Sequence, residues 1–362
     1  MRTFSFVIYV CLLLNVFSSN VCPQTNLTKP QMFAPGVVST SDDELNAAFS
    51  PDGKSLYFSK RAVRQGVIVV SHLENGKWSS PEVAVFSGQY SDFDPYFSAD
   101  GTKLFFCSNR PLAGKLPKQD FDIWVVEQTK GDWNAPRNLG APVNSETDEF
   151  YPAIAADGTL YFSAIRQGGK GRFDIYRSRL AGGKYSEPEN LGELNSPSSE
   201  VDCYIAPDES YLIFASYGRP EGIGDGDLYV SFNQNGVWTK AVNLGVGINS
   251  PAREYAPIGS PDAKHLFFTS ERGFQDAVPA KPYSFGELEK LLRSIENGTG
   301  NIYQIEIKAL NLAESKSKVA NGVNSSINEN VNLSGIIFSI SFYYYKIYVR
   351  SCGENLSASR FD

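Results

Sequence analysis

Histidine and paired cysteines are scarce in this sequence. Its 362 residues include two histidines, His72 and His265, and five cysteines. Neither histidine has a spacing typical of zinc ligands. Cys107 and Cys203 lie far apart in the chain, so we expect two small buried side chains rather than a disulfide. The motif Gly-x-Ser-x-Gly is also missing, so a serine hydrolase with that motif is not indicated.

Basic residues are outnumbered by acidic ones. The chain has 33 Lys and Arg against 40 Asp and Glu, for a net charge of −7. Nucleic-acid phosphates are bound by basic surfaces, so we expect no nucleic-acid partner. An acidic surface is compatible with a cation or a basic partner, and it equally keeps a protein in solution.

No apolar run is long enough for a convincing membrane-spanning helix. The N-terminus has Arg2, then an apolar run over 4–17, then small and polar residues. This order predicts a signal peptide over residues 1–24 and export to the periplasm, the outer envelope or the medium. Lipid attachment at Cys22 is the alternative, although the residues before it match a lipobox poorly.

A five-fold repeat organises most of the remaining chain. In each copy an apolar strand, a turn at Asp and an aromatic strand follow one another. The copies lie at 47–59, 95–108, 152–164, 203–216 and 257–270, with turn residues Asp52, Asp100, Asp157, Asp208 and Asp262. Asp-Gly turns are typical of β-hairpins, and the replacement of Gly by Glu209 and Ala263 in the last two copies predicts a different turn there.

Each hairpin is followed by a third strand and an aromatic–Pro–Leu element that we interpret as an outer strand. Four strands in about 50 residues make one propeller blade. The sequence therefore predicts an all-β, five-bladed β-propeller of four-stranded antiparallel blades over residues 30–310. The fifth repeat lacks its own outer element, and residues 32–39 have the missing layout, so the N-terminal strand is expected to close the ring.

Two segments do not follow the repeat. Residues 283–297 have a helical pattern with a Ser284–Glu287 capping box, which predicts one short helical insertion in blade five. Its apolar stripe is expected to pack on the propeller rim, with partner binding as the alternative. The tail over 311–362 shares no repeat features, and we expect it to be poorly ordered. An added strand or an out-of-frame end remain open alternatives.

The repeat core Phe-Ser-Pro-Asp-Gly at 49–53, the Leu-Tyr-Phe-Ser that follows at 56–59, and the Asp-Ile-Tyr strand at 174–176 resemble the WD40-like (PD40) repeat of TolB-type propellers. The likeness covers about residues 30–310, in five consecutive copies. It implies an exported bacterial scaffold that binds proteins or sugars.

Charged residues recur in register with the repeat. An acid lies eight residues before every turn Asp, at Glu44, Asp92, Glu149, Glu200 and Glu254. An arginine lies nine to eleven residues after the same Asp, at Arg61, Arg110, Arg166, Arg219 and Arg272. A hairpin returns the chain to the end it left, so both sets are expected on one rim. They predict either a circle of structural pairs or groups that bind a ligand in the funnel.

Departures from the repeat are better candidates for a site, because the symmetry of the fold does not require them. Asp94 and Asp202 follow the repeated acid by two residues, where the other blades have Asn46, Tyr151 and Ala256. We therefore name Asp94, Asp202 and Tyr151 as candidate ligand-binding residues. Asp225 and Asp227 offer two oxygen ligands near the same rim, but without the full spacing of a calcium loop.

These observations favour an extracytoplasmic binding or interaction propeller with a protein or carbohydrate ligand at the central funnel. A glycan-active hydrolase or lyase that uses funnel carboxylates is one alternative, and a scaffold in a cell-envelope complex is another. Catalysis is not favoured, because the acids form a repeated position rather than a distinctive pair. No cofactor is expected, apart from the calcium option at Asp225 and Asp227.

Overall fold

Each repeat folds as two antiparallel strands joined at its Asp turn. In the first repeat the Asp52 carboxylate accepts hydrogen bonds from Ser50 Oγ at 2.7 Å and from the Lys54 N–H at 3.0 Å. Gly53 follows with a φ of +69°, and Glu209 and Ala263 take the equivalent positions with φ of +54° and +55°. The prediction of a different turn in the last two repeats is therefore wrong, because these residues adopt the left-handed conformation of the glycine.

The computed structural model describes residues 27–62, 65–112 and 120–320. The predicted signal peptide and the tail beyond residue 320 lie outside these residues. Strand β1 (Gln31–Met32) comes first in the described chain. Blade 1 contains β2 (Glu44–Phe49), β3 (Ser55–Ala62), β4 (Gln65–Glu74), β5 (Lys77–Trp78) and β6 (Glu82–Val83). Blade 2 contains β7 (Asp92–Phe97), β8 (Lys103–Ser108), β9 (Asp122–Thr129), β10 (Asp132–Trp133) and β11 (Arg137–Asn138).

The later blades repeat this order. Blade 3 contains β12 (Glu149–Ile154), β13 (Leu160–Ala164), β14 (Asp174–Ser178), β15 (Leu180–Ala181), β16 (Lys184–Tyr185) and β17 (Glu189–Asn190). Blade 4 contains β18 (Ser199–Ile205), β19 (Tyr211–Tyr217), β20 (Asp227–Gln234), β21 (Val237–Trp238) and β22 (Val242–Asn243). Blade 5 contains β23 (Glu254–Gly259), β24 (His265–Ser270) and β25 (Asn301–Glu306). The predicted five-bladed antiparallel propeller is confirmed.

The predicted outer strand is split into two short pieces in blades 1, 2 and 4. In blade 1 both β5 and β6 pair with β4, and Pro81 lies between them. Proline cannot donate a ladder hydrogen bond, so it falls at the interruption of this edge strand. The second strands β8, β13, β19 and β24 are almost entirely buried, as is the middle of β3, and their aromatic side chains form much of the core.

The N-terminal strand closes the ring as the sequence predicts. Strand β1 pairs antiparallel with β25, so it supplies the outer strand of blade 5. Ser39 Oγ then donates to the Ile302 carbonyl and accepts from the Ile302 N–H, both at 3.1 Å. In blade 2 the Asn144 side chain makes the same two contacts with Ile123. The first and last parts of the repeat region are therefore joined by the contacts that hold the other blades.

A short helix interrupts blade 5 where the sequence predicts one. Helix α1 (Phe285–Leu292) begins at Ser284, whose hydroxyl accepts from the Glu287 N–H in a capping box. No residue of α1 is buried, and Phe285 is 81% exposed, so the expected packing of its apolar stripe on the propeller rim is wrong and the stripe lies largely in solvent.

A second helix, α2 (Leu312–Ala320), was not anticipated from the sequence and lies at the start of the predicted tail. Its Leu312 and Val319 side chains pack against the core. Three 3₁₀ turns occur at Gly192–Leu194, Phe274–Asp276 and Ile307–Leu310. Neither described helix has the length and apolar character that crossing a membrane requires.

Candidate functional site

The five inner strands share an irregularity that directs one side chain of each toward the propeller axis. The pairing register of every inner strand with its neighbour shifts at the same place, for example between Phe93 and Tyr96 in blade 2. A β-bulge of this kind re-aims side chains. The residue inside each shift has a φ between +50° and +58°: Asn46, Asp94, Tyr151, Asp202 and Ala256.

These five residues line one small cavity on the axis. Its volume is about 30 Å³, above the roughly 10–15 Å³ that a cavity needs to hold one water. The cavity therefore has room for an ion or for one or two waters, and a sugar ring is too large for it. The described chain brings the three predicted residues Asp94, Tyr151 and Asp202 together here, with Asn46 as a fourth polar neighbour.

Asp94 is 5% exposed and has one strong hydrogen bond. The Tyr151 N–H donates to its Oδ2 at 3.2 Å. Its Oδ1 has no N–H or O–H partner among the described residues, and the Cys107 thiol, a weak donor, faces the carboxyl group. Burial raises the pKa of Asp94 to about 7, while the contacts with Cys107 and Tyr151 act in the opposite direction.

Asp202 is even more enclosed, at 2% exposed. Its Oδ1 lies 3.4 Å from Asn46 Nδ2, and the Ala256 N–H faces the carboxyl group. Burial and then the charge of Asp94 raise the pKa of Asp202 well above its ordinary value. Asp202 Oδ2 and Asn46 Oδ1 have no hydrogen-bond partner within the described chain. Three buried oxygens around this cavity thus lack strong donors.

The repeated acids do not line the axial cavity. All five are fully buried, and each is held by the residues just before its strand. Glu200, for example, accepts from the Ser196 N–H at 3.0 Å and from Ser196 Oγ at 2.6 Å. Burial raises the pKa of Glu149 to about 7, against the hydrogen bonds from Ser145.

Four of the five arginines pair with the acid of their own blade. The Nη2-to-carboxylate distances are 2.7 Å for Arg110–Asp92, 3.2 Å for Arg166–Glu149, 2.9 Å for Arg219–Glu200 and 3.0 Å for Arg272–Glu254. Each guanidinium also donates to a backbone carbonyl of the preceding connection, at Phe86, Val143, Leu194 and Ile248. Each stacks on aromatic rings of its own blade. In these four blades the acid and the arginine are therefore paired with one another, and the arginine also holds the connection from the preceding blade.

Blade 1 departs from this pattern, and the expected pairing of Arg61 with Glu44 does not occur. Glu44 lies 3.0 Å from Lys60 Nζ instead. Arg61 Nε donates to Asp43 at 2.5 Å, and its Nη2 lies 3.8 Å from Glu271 of blade 5. Arg253 Nη1 is 3.9 Å from the same Glu271. The outcome is a partly exposed network of charges across blades 5 and 1.

Aromatic side chains occupy the opposite part of the same end, which we call the funnel mouth, where the inner strands begin. Ring centroids are 6.1 Å apart for Phe93–Phe121, 5.1 Å for Phe121–Phe150 and 5.9 Å for Phe150–Phe173. Phe150 also lies 5.6 Å from Tyr151, which lines the axial cavity. Phe93, Phe121 and Phe173 are half-buried. This aromatic run was not predicted, although each member lies next to a strand start that the repeat identifies.

A larger cleft lies at the other end of the propeller, between blades 1 and 2. Its volume is about 310 Å³, and Tyr57, Phe97 and Trp133 contribute its aromatic walls. The turn residues Asp52 and Asp100 border it. Trp133 Nε1 donates to the Tyr57 hydroxyl at 3.0 Å, which fixes the two rings relative to one another. This cleft was not predicted, because its walls come from four separate segments.

The calcium option at Asp225 and Asp227 has competing contacts. The Asp227 carboxylate accepts from the N–H groups of Ile223 and Gly224 and from Asn243 Nδ2, at 2.5, 3.1 and 2.8 Å. Asp225 is exposed. Across the described residues, no group of three His, Cys, Asp or Glu side chains is placed to hold a metal ion.

The fold and the site together define a β-propeller with a narrow, acidic axis. No protein-family model matches the sequence. No curated protein matches it either.

Among solved structures, a TolB-like protein of Agrobacterium tumefaciens is 15% identical, with a TM-score of 0.44 over 74% of this chain and 91% of that one. TolB from Acinetobacter baumannii is also 15% identical, with a TM-score of 0.42 over 73% of this chain and 54% of that one. An alpha-L-arabinofuranosidase from Lactobacillus brevis is 9% identical, with a TM-score of 0.46 over 74% of this chain and 91% of that one. The blades are established by the strand pairing of the chain itself, and these likenesses say nothing about its ligand.

Proposed function

We propose that this chain is an exported binding propeller that holds a segment of a partner protein at the funnel mouth. The observation that carries the proposal is the aromatic run in which the half-buried Phe93, Phe121 and Phe173 surround the buried Phe150. Aromatic and arginine side chains dominate the binding energy of protein interfaces. The charged network of Arg61, Glu271 and Arg253 on the other side of the mouth complements a peptide that carries both apolar and charged groups.

A hydrolytic role has less support. A glycosidase needs two carboxyl groups beside the scissile bond of a bound sugar. Four of the repeated acids are paired to arginine, and Asp94 and Asp202 face a cavity smaller than a sugar ring.

Carbohydrate binding without catalysis is a second candidate, and the cleft between blades 1 and 2 favours it. Its volume of about 310 Å³ falls in the range of small-molecule sites, and Trp133 and Tyr57 offer faces on which a sugar ring stacks. An envelope scaffold is a further reading, supported by the exposure of Phe285 on helix α1.

A selection from a displayed random-peptide library tests the main proposal. The affinity of a selected peptide is then measured by calorimetry against Phe121→Ala, Phe173→Ala and Phe285→Ala. We expect the first two changes to weaken binding about ten-fold or more, as at an interface hot spot. Phe285→Ala is the matched control on helix α1, outside the aromatic run, and is expected to leave affinity unchanged. A peptide that binds all three variants equally, or a selection that yields none, contradicts the proposal.

The variant Trp133→Ala distinguishes carbohydrate binding in the cleft from peptide binding at the funnel mouth. Binding to an array of defined oligosaccharides that is lost in Trp133→Ala but kept in Phe121→Ala places the ligand in the cleft. Release of reducing ends from any of these sugars by the wild type, and not by Asp202→Asn, supports the hydrolase instead. Export is tested by fractionating cells that express the chain and sequencing the mature N-terminus, which is expected near residue 24.

A further inference from the structure

The axial cavity contains buried oxygens that the described protein does not satisfy. Asp94 Oδ1 and Asp202 Oδ2 lack N–H or O–H partners within the described chain, and so does Asn46 Oδ1. Asn46 is 6% exposed, so its amide oxygen is as enclosed as the two carboxylates. A buried acceptor without a donor lowers stability, and such groups in native proteins call for an explanation.

We propose that this cavity binds one divalent cation of the calcium type through the carboxylates of Asp94 and Asp202 and the amide oxygen of Asn46. The proposal does not depend on the ligand at the funnel mouth. A cation at this point joins blades 1, 2 and 4 across the axis.

The orientation of Asn46 leaves an acceptor oxygen available to a cation. Its Nδ2 donates toward Asp202 Oδ1 at 3.4 Å, so its Oδ1 is the amide atom left without a partner. Reversing the amide would bring two acceptor oxygens together. Protonation of the aspartates neutralises two charges and gives each carboxyl group an O–H donor, whereas a single cation contacts both carboxylates and the amide oxygen together.

Charge and size agree with this assignment. Two carboxylates supply two negative charges, and none of the described residues that line the cavity is Lys, Arg or His. The volume of about 30 Å³ accommodates one ion or water. All three ligands are oxygens, which suit Ca²⁺ and Mg²⁺, whereas zinc prefers nitrogen and sulfur. Asn and Asp are also the residues that tolerate a positive φ most readily, so the bulge presents such ligands at little strain.

The test is a calcium titration of the full chain after treatment with EGTA. Thermal unfolding is followed against CaCl₂, and bound metal is counted by mass spectrometry after desalting. We expect one calcium per chain and a Tm that rises by about 5 °C at one hundred times the dissociation constant. Asp94→Asn and Asp202→Asn are expected to lose this shift. Asp225→Asn removes an exposed carboxylate on the same end and is expected to retain it.

The same variants give an opposite result without calcium. In EGTA, Asp202→Asn is expected to melt at or above the wild-type temperature, because the amide is uncharged and its NH₂ group is a hydrogen-bond donor for buried oxygens that lack one. A carboxylate with a purely structural role predicts a lower melting temperature for the variant under both conditions. Equal shifts with CaCl₂ and with NaCl at matched ionic strength overturn the proposal, and so does wild-type protein without stoichiometric metal.

Terbium provides a measurement that needs no aspartate variant. Tyr151 lines the cavity, so terbium bound there is expected to luminesce on tyrosine excitation. Calcium is expected to displace this signal, and Tyr151→Phe is expected to weaken it several-fold. Tyr96 also lines the cavity, so luminescence that is unchanged when both Tyr151 and Tyr96 are replaced by Phe places the ion elsewhere and overturns the proposal.

Discussion

Arg219→Ala tests whether the charged ring stabilises the propeller. Arg219 and Glu200 form the most enclosed pair of that ring, with side chains 4% and 0% exposed. Glu200 Oε1 accepts from Arg219 Nη2 at 2.9 Å and from Nε at 3.1 Å. The same Nη2 donates to the Leu194 carbonyl at 2.7 Å, and the guanidinium lies 4.8 Å from the centroid of the Tyr229 ring.

The magnitude follows from what the substitution leaves behind. Glu200 keeps the hydroxyls of Ser196 and Ser216 at 2.6 and 3.0 Å but loses its counter-ion inside the protein. Removing one member of a buried pair costs about 3 to 5 kcal/mol. The two hydroxyls place the expected loss near the lower figure. A chain of this size loses about 2 to 4 °C of Tm for each kcal/mol, so we expect a decrease of about 10 °C.

Circular dichroism or calorimetry measures the change against a matched surface pair. Arg179→Ala breaks the contact with Glu189, whose side chains are 57% and 51% exposed, and is expected to cost less than about 1 kcal/mol. The double change Arg219→Ala with Glu200→Gln is expected to recover part of the loss, because no uncompensated charge remains. Equal melting temperatures for Arg219→Ala and Arg179→Ala would refute the structural role of the ring.

Two further predictions concern the closing strand and the axis. Deletion of residues 27–40 is expected to lower the Tm by many degrees. The deletion exposes the edge of β25, and it removes the buried Val38 and the Ser39 contacts with Ile302. An unchanged Tm contradicts closure by β1. Burial raises the pKa of Asp94 from its ordinary 3.8 to about 7. In EGTA, Asp94 therefore contributes its full share of the free energy of unfolding below pH 4, and this share is lost as the pH rises through 7. The difference of about three pKa units corresponds to a decrease of at most about 4 kcal/mol in the free energy of unfolding between these pH values, which urea unfolding measures. Asp94→Asn is expected to flatten this pH dependence, and calcium is expected to do the same in the wild type. The titratable groups that face Asp94 are Asp202 and Cys107.

The blades were predictable because the information is local. Every repeat carries its own Asp turn, two apolar strands and a third strand within about 50 residues, and the turn geometry persists even where Glu209 or Ala263 replaces glycine. The closing strand was predictable for a different reason. Four repeats have an outer element and one lacks it, so the N-terminal segment is the remaining candidate to cover that edge.

The pairing in blade 1 was not predictable from spacing counted along the sequence. Arginine follows the turn Asp by nine residues in both blade 1 and blade 3, yet the hairpin of blade 3 is one residue shorter. The residue that pairs with the repeated acid is Ala164 in blade 3 and Lys60 in blade 1. Arg166 lies two positions after Ala164, whereas Arg61 lies one position after Lys60. One residue of offset turns a side chain to the other face of a strand. Lys60 therefore meets Glu44, and Arg61 turns toward Asp43 and blade 5.

The axial site could be identified only from the sequence repeat and the backbone structure together. Asp94 and Asp202 stood out because the repeat does not require them, but their meeting with Asn46 depends on a bulge that a sequence pattern does not reveal.

Backbone conformation alone accounts for part of this choice, since Asn and Asp tolerate a positive φ better than most residues. It does not account for the rest. Ala256 adopts the same conformation in blade 5 without any polar group, so the bulge itself does not demand a carboxylate. Two acids at an enclosed, five-fold repeated position therefore lower stability unless something shares their cavity, and the space left there is large enough for an ion.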